Sequence, residues 1–215
     1  AARSTSAESS PASQSVTTPV PTVAAANPLA VEAGIEGLRK GGSAVDAAVA
    51  VQAMLGLVEP QSSGIAGGAF LVHYDAETGD ITVLNGRETA PAGATPDMFL
   101  DAEGKPLPIR QAIWSGRSTG VPGVMKMLEA AHGKFGRLPW SELFTPAIRA
   151  ASQGFTVSPR MAQFVQIGFR SGETPDLVKL FSRPDGSPLQ AGDTFRNPEY
   201  ARTLVHARVA RLLNY

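Results

Sequence analysis

The chain contains no cysteine, and that one absence removes three chemistries together. A disulfide framework, a thiol nucleophile and a thiolate metal site are all excluded. It is compatible with an oxidising compartment without establishing one. An excess of charge of either sign is missing too, since nineteen Lys and Arg stand against nineteen Asp and Glu. Nucleic acid and anionic membrane surfaces attract a basic excess, so neither is favoured as a partner. No run approaches the roughly 20 apolar residues that span a bilayer, and no membrane span is expected. Histidine is scarce: His73, His132 and His206 lie far apart. None has a second ligand at metal-site spacing, so no metal and no cofactor are expected.

What is present describes a globular chain. Apolar residues make up 43% and charged residues 18% of 215 residues, enough for one substantial core and no second one. Residues 1–22, "AARSTSAESSPASQSVTTPVPT", carry almost no apolar bulk to offset chain entropy. They read as a disordered leader or tether, or as a remnant left by signal-peptide removal. Asn27-Pro28 then places a capping residue before a proline at the first helical position. "PLAVEAGIEGLRK" follows with helical spacing, and Gly41-Gly42 ends it. Ser43 and Asp46 approximate a capping box for a second helix, "SAVDAAVAVQAMLGLVEP". That helix is apolar on nearly every side and belongs inside a packed layer.

The glycine-rich "SSGIAGGAF" leads into a strand, and residues 68–87 read as a hairpin turning at Asp75–Asp80. The loop follows a helix, opens a strand and lacks lysine, which excludes a P-loop or dinucleotide fingerprint. It also lacks the framing of a nucleophile elbow. Its glycines read as permitting close backbone approach. Residues 91–121 are a long connection with little regular structure. Helices are expected from Pro122 to His132, around Trp140–Ser152, and after Ser158-Pro159 and Asn197-Pro198. Trp140 and Phe144, Phe155, Phe164 and Phe169 are assigned to the core. In "WSGRSTGVPG" (114–123) a structural turn is favoured over an anion site, since Pro122 contributes no N–H. The mixture of capped helices and a hairpin gives an α+β class.

"LNGRETAP" (84–91) ends the returning strand in Arg87 and Glu88. A strand-end arginine is ordinarily solvated or salt-bridged. Its planar guanidinium is also suited to grip a carboxylate through two parallel hydrogen bonds. The residues themselves leave both readings open.

The order of segments narrows the choice. "ANPLAVEAGIEGLRKGGSAVDAAVAVQAMLGLVEPQSSGIAGGAFLVHYD", then "NGRETAPAGATPDMF", "GRSTGVPGV", "FGRLPWSELFTPAIRAASQGFTVSP" and "GDTFRNPEYARTL" resemble the amino-terminal part of the large subunit of γ-glutamyltranspeptidases (γ-glutamyltransferases, or glutathione hydrolases). The resemblance covers roughly residues 23–204, within a unit taken as 23–215. It implies part of a four-layer αββα sandwich of the N-terminal-nucleophile hydrolases, made as a precursor that cuts itself into two subunits. The substrates implied are glutathione and other γ-glutamyl compounds, with transfer to water or to an amine acceptor. The nucleophile implied is the N-terminal threonine of the small subunit, which becomes the large subunit's partner. A periplasmic or secreted location is implied as well. By position in the G-R-E-T-A-P motif, Arg87 would hold the α-carboxylate of the glutamyl group, and Glu88 would support the local structure.

Departures accompany the resemblance. No threonine here sits in the family's nucleophile motif, so residues 1–215 alone are expected to lack the catalytic centre. After Leu204 the tail "VHARVARLLNY" drifts from the family, and Ala66 stands where the family often has glycine. Two other functions stay open: a cephalosporin-acylase-like amidohydrolase of the same superfamily, and a non-catalytic binding or scaffold remnant.

Overall fold

In the computed structural model, residues 20–171 and 175–209 are described; most of the expected leader, residues 1–19, and the tail 210–215 lie outside them. Local caps explain where the first helices begin and end. Helix α1, Pro28–Arg39, starts where the Asn27 carboxamide oxygen accepts from Leu29 N–H at 3.0 Å. It closes as Gly41, at φ 86°, lets Gly42 N–H reach the Gly37 carbonyl at 3.0 Å, a left-handed cap that other residues adopt poorly. Helix α2, Ala44–Val58, has the full capping box: Asp46 N–H donates to Ser43 Oγ at 3.2 Å and Ser43 N–H to Asp46 Oδ2 at 2.7 Å. Val45, Val49, Met54, Leu57 and Val58 are all buried, each worth about 1.5–3 kcal/mol of transfer free energy. The helix is central because it has no wettable face.

Strands β1 (Ala69–Tyr74) and β2 (Ile81–Gly86) form the expected antiparallel hairpin, with Val72 opposite Val83 and Tyr74 opposite Ile81. One face, carrying Leu71 and Leu84, packs on the core. The other exposes Phe70, Val72, Tyr74, Ile81 and Val83, an apolar surface of the kind that marks an interface.

The long connection holds one short helix, α3 (Ile109–Trp114), and a 3-10 turn at 116–118. Helix α4 is Val124–Phe135, so it begins two residues after the expected Pro122, with Gly123 as its cap. A 3-10 turn at 140–142 precedes α5, Thr145–Gln153. Strand β3 (Phe155–Thr156) pairs with β4 (Thr194–Phe195), a two-residue ladder too short to show a period in the sequence. Helix α6, Pro159–Ser171, and α8, Pro198–Val209, start at the two expected Ser/Asn-Pro sites. Ser158 Oγ accepts from Met161 N–H and Asn197 Oδ1 from Tyr200 N–H. Between them lies α7, Pro175–Leu180, which the sequence pattern does not announce. Helix α8 continues past Leu204, burying Ala207, whose carbonyl accepts from the Trp140 indole at 3.1 Å. Trp140, Phe144 and Phe155 are core residues and Phe169 packs against the core. Phe164 is not a core residue: it is 41% exposed, with the Arg160 guanidinium over its ring.

Two distant anchors fix α2. Asp46 Oδ2 also accepts from Arg137 N–H (2.9 Å) and Leu138 N–H (3.2 Å). At the other end the buried Glu59 carboxylate takes Gln61 Nε2 (2.6 Å), Arg160 Nε (2.9 Å) and Asn27 Nδ2 (3.3 Å). The Tyr200 hydroxyl donates to the Ala53 carbonyl at 2.8 Å, and burial pushes its phenol well above the ordinary tyrosine range. Among the described residues no helix is long and apolar enough to cross a membrane, and no three His, Asp or Glu side chains converge as metal ligands.

Candidate functional site

Arg87 and Glu88 occupy a short link held at both ends. On one side β2 stops at the buried Gly86, and Asn85 Oδ1 accepts from Arg87 N–H at 2.9 Å. On the other, Thr89 and Val121 bridge through Thr89 N–H to Val121 O (3.3 Å) and Val121 N–H to Thr89 O (2.9 Å). Neither side chain turns into the core, because both lie beyond the ladder where strand alternation no longer applies. The Arg87 side chain is 70% exposed and that of Glu88 37%.

Glycine makes this geometry possible. A Cβ at Gly68 would lie 2.8 Å from both Glu88 N and Cδ, and one at Gly120 would lie 2.9 Å from Glu88 Cβ. One at Gly123 would stand 2.8 Å from the Arg87 carbonyl oxygen. These are distances that real Cβ atoms do not tolerate. The glycine loop before β1 therefore does permit close approach, as expected, and its neighbour is the Glu88 link.

The same crowding explains the late start of α4. The Gly67 carbonyl accepts from Gly123 N–H at 3.0 Å and Val124 N–H at 3.1 Å, satisfying donors that a helix N-terminus would otherwise offer to an anion. Nearby, Ser118 Oγ donates to Ile113 O and Ser115 O, and Arg117 Nη1 to Met98 O. The polar side chains of 115–118 thus serve the local turn.

Gly123→Ala tests this packing. It is expected to destabilise by about 1–3 kcal/mol, as overpacking commonly does, lowering the thermal midpoint by roughly 2–4 °C per kcal/mol for a domain of this size. An unchanged midpoint would mean that the link and α4 can separate freely.

The electrostatics leave Arg87 half-engaged. Its Nε lies 3.3 Å from Glu88 Oε2, while its two Nη nitrogens make no hydrogen bond among the described residues. Arg183 is the contrast: its Nε and Nη2 meet Asp193 Oδ2 and Oδ1 at 2.7 and 2.8 Å. That fork is filled, and it holds the Asp193 carboxyl down to about 2. Arg87 keeps the outer edge of its guanidinium available for a planar acceptor, with Glu88 in a surface ion pair beside the inner nitrogen. The sequence signalled Arg87, Glu88 and the close-approach glycines of the loop, Gly68 among them, but not that Gly120 and Gly123 crowd the same link.

A model of the family described as gamma-glutamyltranspeptidase matches residues 30–210. The chain is 44% identical over 181 residues to the glutathione hydrolase proenzyme of Bacillus subtilis (strain 168), covering 84% of this chain and 31% of that protein. It thus spans about a third of the length of that relative. The crystal structure of Helicobacter pylori gamma-glutamyltranspeptidase superposes with a TM-score of 0.82 at 35% identity, over 89% of this chain and 55% of that one. A cephalosporin acylase from Bacillus halodurans gives a TM-score of 0.72 at 25% identity, over 92% and 39%. These likenesses place the α+β fold within the αββα sandwich of the N-terminal-nucleophile hydrolases. With the family match running across both capped helices, the hairpin and the Arg87 link, the chain belongs to the gamma-glutamyltranspeptidase family.

Proposed function

We propose that this chain supplies the carboxylate-binding wall of an enzyme that cleaves γ-glutamyl amides such as glutathione, passing the glutamyl group to water or to an amine. The observation that carries this reading is Arg87: an arginine at the family's motif position with its Nη edge open and its Nε 3.3 Å from the Glu88 carboxylate. A glutamyl α-carboxylate would complete the fork through two parallel charge-assisted hydrogen bonds. The exposed apolar face of the hairpin would be covered by the rest of the polypeptide, including the small subunit cut from the same precursor. That subunit would bring the threonine nucleophile. Its hydroxyl attacks the γ-carbonyl, giving up its proton to the threonine's own α-amine, and the departing amine takes that proton as the acyl-ester forms. Water or an acceptor amine then releases the acyl group and restores the threonine. A periplasmic or secreted location belongs to the same proposal, and the cysteine-free composition is compatible with it.

The likeness to a cephalosporin acylase favours a second reading, since an acyl group ending in a carboxylate, such as glutaryl, would suit the same fork. Both readings predict that the full-length precursor is active and that residues 1–215 alone are not. The full-length protein is expected to release chromophore from γ-glutamyl p-nitroanilide faster than from glutaryl p-nitroanilide, which lacks the α-amine. The reverse preference would select the acylase reading. Turnover by residues 1–215 alone would overturn the division of roles, and inactivity of the full-length protein on both would leave a binding or scaffold remnant.

A further inference from the structure

We infer that Gln52, a residue distant from Arg87 in the chain, is a positioning residue for substrate binding, because its carboxamide latches the glycine loop on which Glu88 rests. The inference builds on the reading of Arg87 as the carboxylate clamp. Past Asp46, helix α2 reads AAVAVQAMLGLV, and Gln52 is its one amide or charged side chain. A lone amide in so apolar a helix needs partners. It finds them in the loop: Nε2 donates to Ser63 Oγ and to the Gly64 carbonyl, both at 3.0 Å.

Among the described residues, the loop's backbone hydrogen bonds lie at its two ends. At the start, the Glu59 carbonyl accepts from Ser62 and Ser63 N–H at 3.0 Å each. At the far end, the Gly67 carbonyl is taken by Gly123 and Val124. Between them the chain is Gly64-Ile65-Ala66; Ile65 packs against the core, while Gly64 has open space where a Cβ would be, so at Gly64 itself no side-chain packing substitutes for the latch. Gly68 follows directly, with the Glu88 carboxylate against its bare backbone and Arg87 Nε on that carboxylate. Gln52 therefore acts on the arginine at second hand, through Gly64–Gly68 and Glu88. A glutamine serving only to satisfy itself at the edge of the core would leave substrate binding untouched.

Gln52→Met in the full-length protein keeps the side chain's length and loses both hydrogen bonds. Each neutral hydrogen bond is modest on its own and the last link is a surface ion pair, so KM for γ-glutamyl p-nitroanilide is expected to rise about two- to fivefold with kcat changed less than about twofold. Gln52→Glu should match it, since a carboxylate cannot donate to the Gly64 carbonyl. Amide hydrogen exchange at Ser62, Ser63, Gly123 and Val124, whose N–H groups hold the two ends of the loop, should quicken in both variants. In an Arg87→Ala background Gln52→Met should add no further rise in KM, because the two act on one contact. An unchanged KM, or a full additive rise in the Arg87→Ala background, would overturn the positioning role. Unchanged exchange at those four amides would overturn the latch itself, even in a protein inactive on γ-glutamyl donors. If Arg87→Ala leaves KM unaltered, the clamp reading fails instead, and the exchange measurement alone decides whether Gln52 holds the loop.

Discussion

Arg87→Ala in the full-length protein is expected to raise KM for a γ-glutamyl donor by roughly 30- to 5000-fold, the equivalent of about 2–5 kcal/mol lost when one partner of a desolvated charge pair is removed. The effect should fall on KM more than kcat, because the α-carboxylate is held alike in ground and transition states and lies away from the bond being broken. Arg87→Lys keeps the charge but has no planar fork, so it should lie between wild type and alanine. Stability should hardly change in either variant, since the side chain is 70% exposed and its ion pair with Glu88 is a surface one. A substrate control separates binding from damage. A 4-aminobutyryl anilide has the amine and the scissile amide but no α-carboxylate, so wild type and Arg87→Ala should use it equally poorly. If the two variants keep wild-type KM for the γ-glutamyl donor, Arg87 does not touch the substrate.

What could be read from the sequence was whatever is decided locally. The Asn27 cap, the Ser43–Asp46 box and the Gly41–Gly42 stop each act within a few residues, and their hydrogen bonds stand as the spacing implied. The hairpin was legible for the same reason. Contacts made at long range were not. Nothing near Pro122 shows that Gly123 must give its N–H to Gly67, fifty-six positions earlier, and so delay α4. Nothing near Phe164 shows that the neighbouring α6 surface stays open. The chemical aptitude of Arg87 was visible in its residue type. Its free Nη edge, and the bare Gly68 backbone beneath its partner, depend on a loop, a strand end and a helix start meeting in space.

Asp46→Ala should be strongly destabilising without touching the proposed substrate. Its carboxylate is fully buried, and Oδ2 accepts from three backbone donors: Ser43, Arg137 and Leu138 N–H. Alanine leaves all three without that acceptor, at about 1–3 kcal/mol for each donor that stays buried, so a loss on the order of 3–6 kcal/mol is expected. That is a large fraction of the roughly 5–15 kcal/mol a folded domain holds. Two milder variants calibrate the effect if alanine does not fold. Ser43→Ala removes only the reciprocal cap bond, for about 1 kcal/mol. Asp46→Asn can keep its oxygen on the three donors, with the weaker bonds of a neutral acceptor. It also sets an NH2 group where Oδ1 now stands 3.5 Å from His132 Nε2. That nitrogen already donates to the Leu138 carbonyl at 2.9 Å, so two donors would face each other. Denaturant midpoints should therefore fall in the order wild type, Ser43→Ala, Asp46→Asn, Asp46→Ala. If Asp46→Ala costs no more than Ser43→Ala, Asp46 is only a helix cap. The 137–138 link would then be held to α2 by packing of Leu138 rather than by the buried carboxylate.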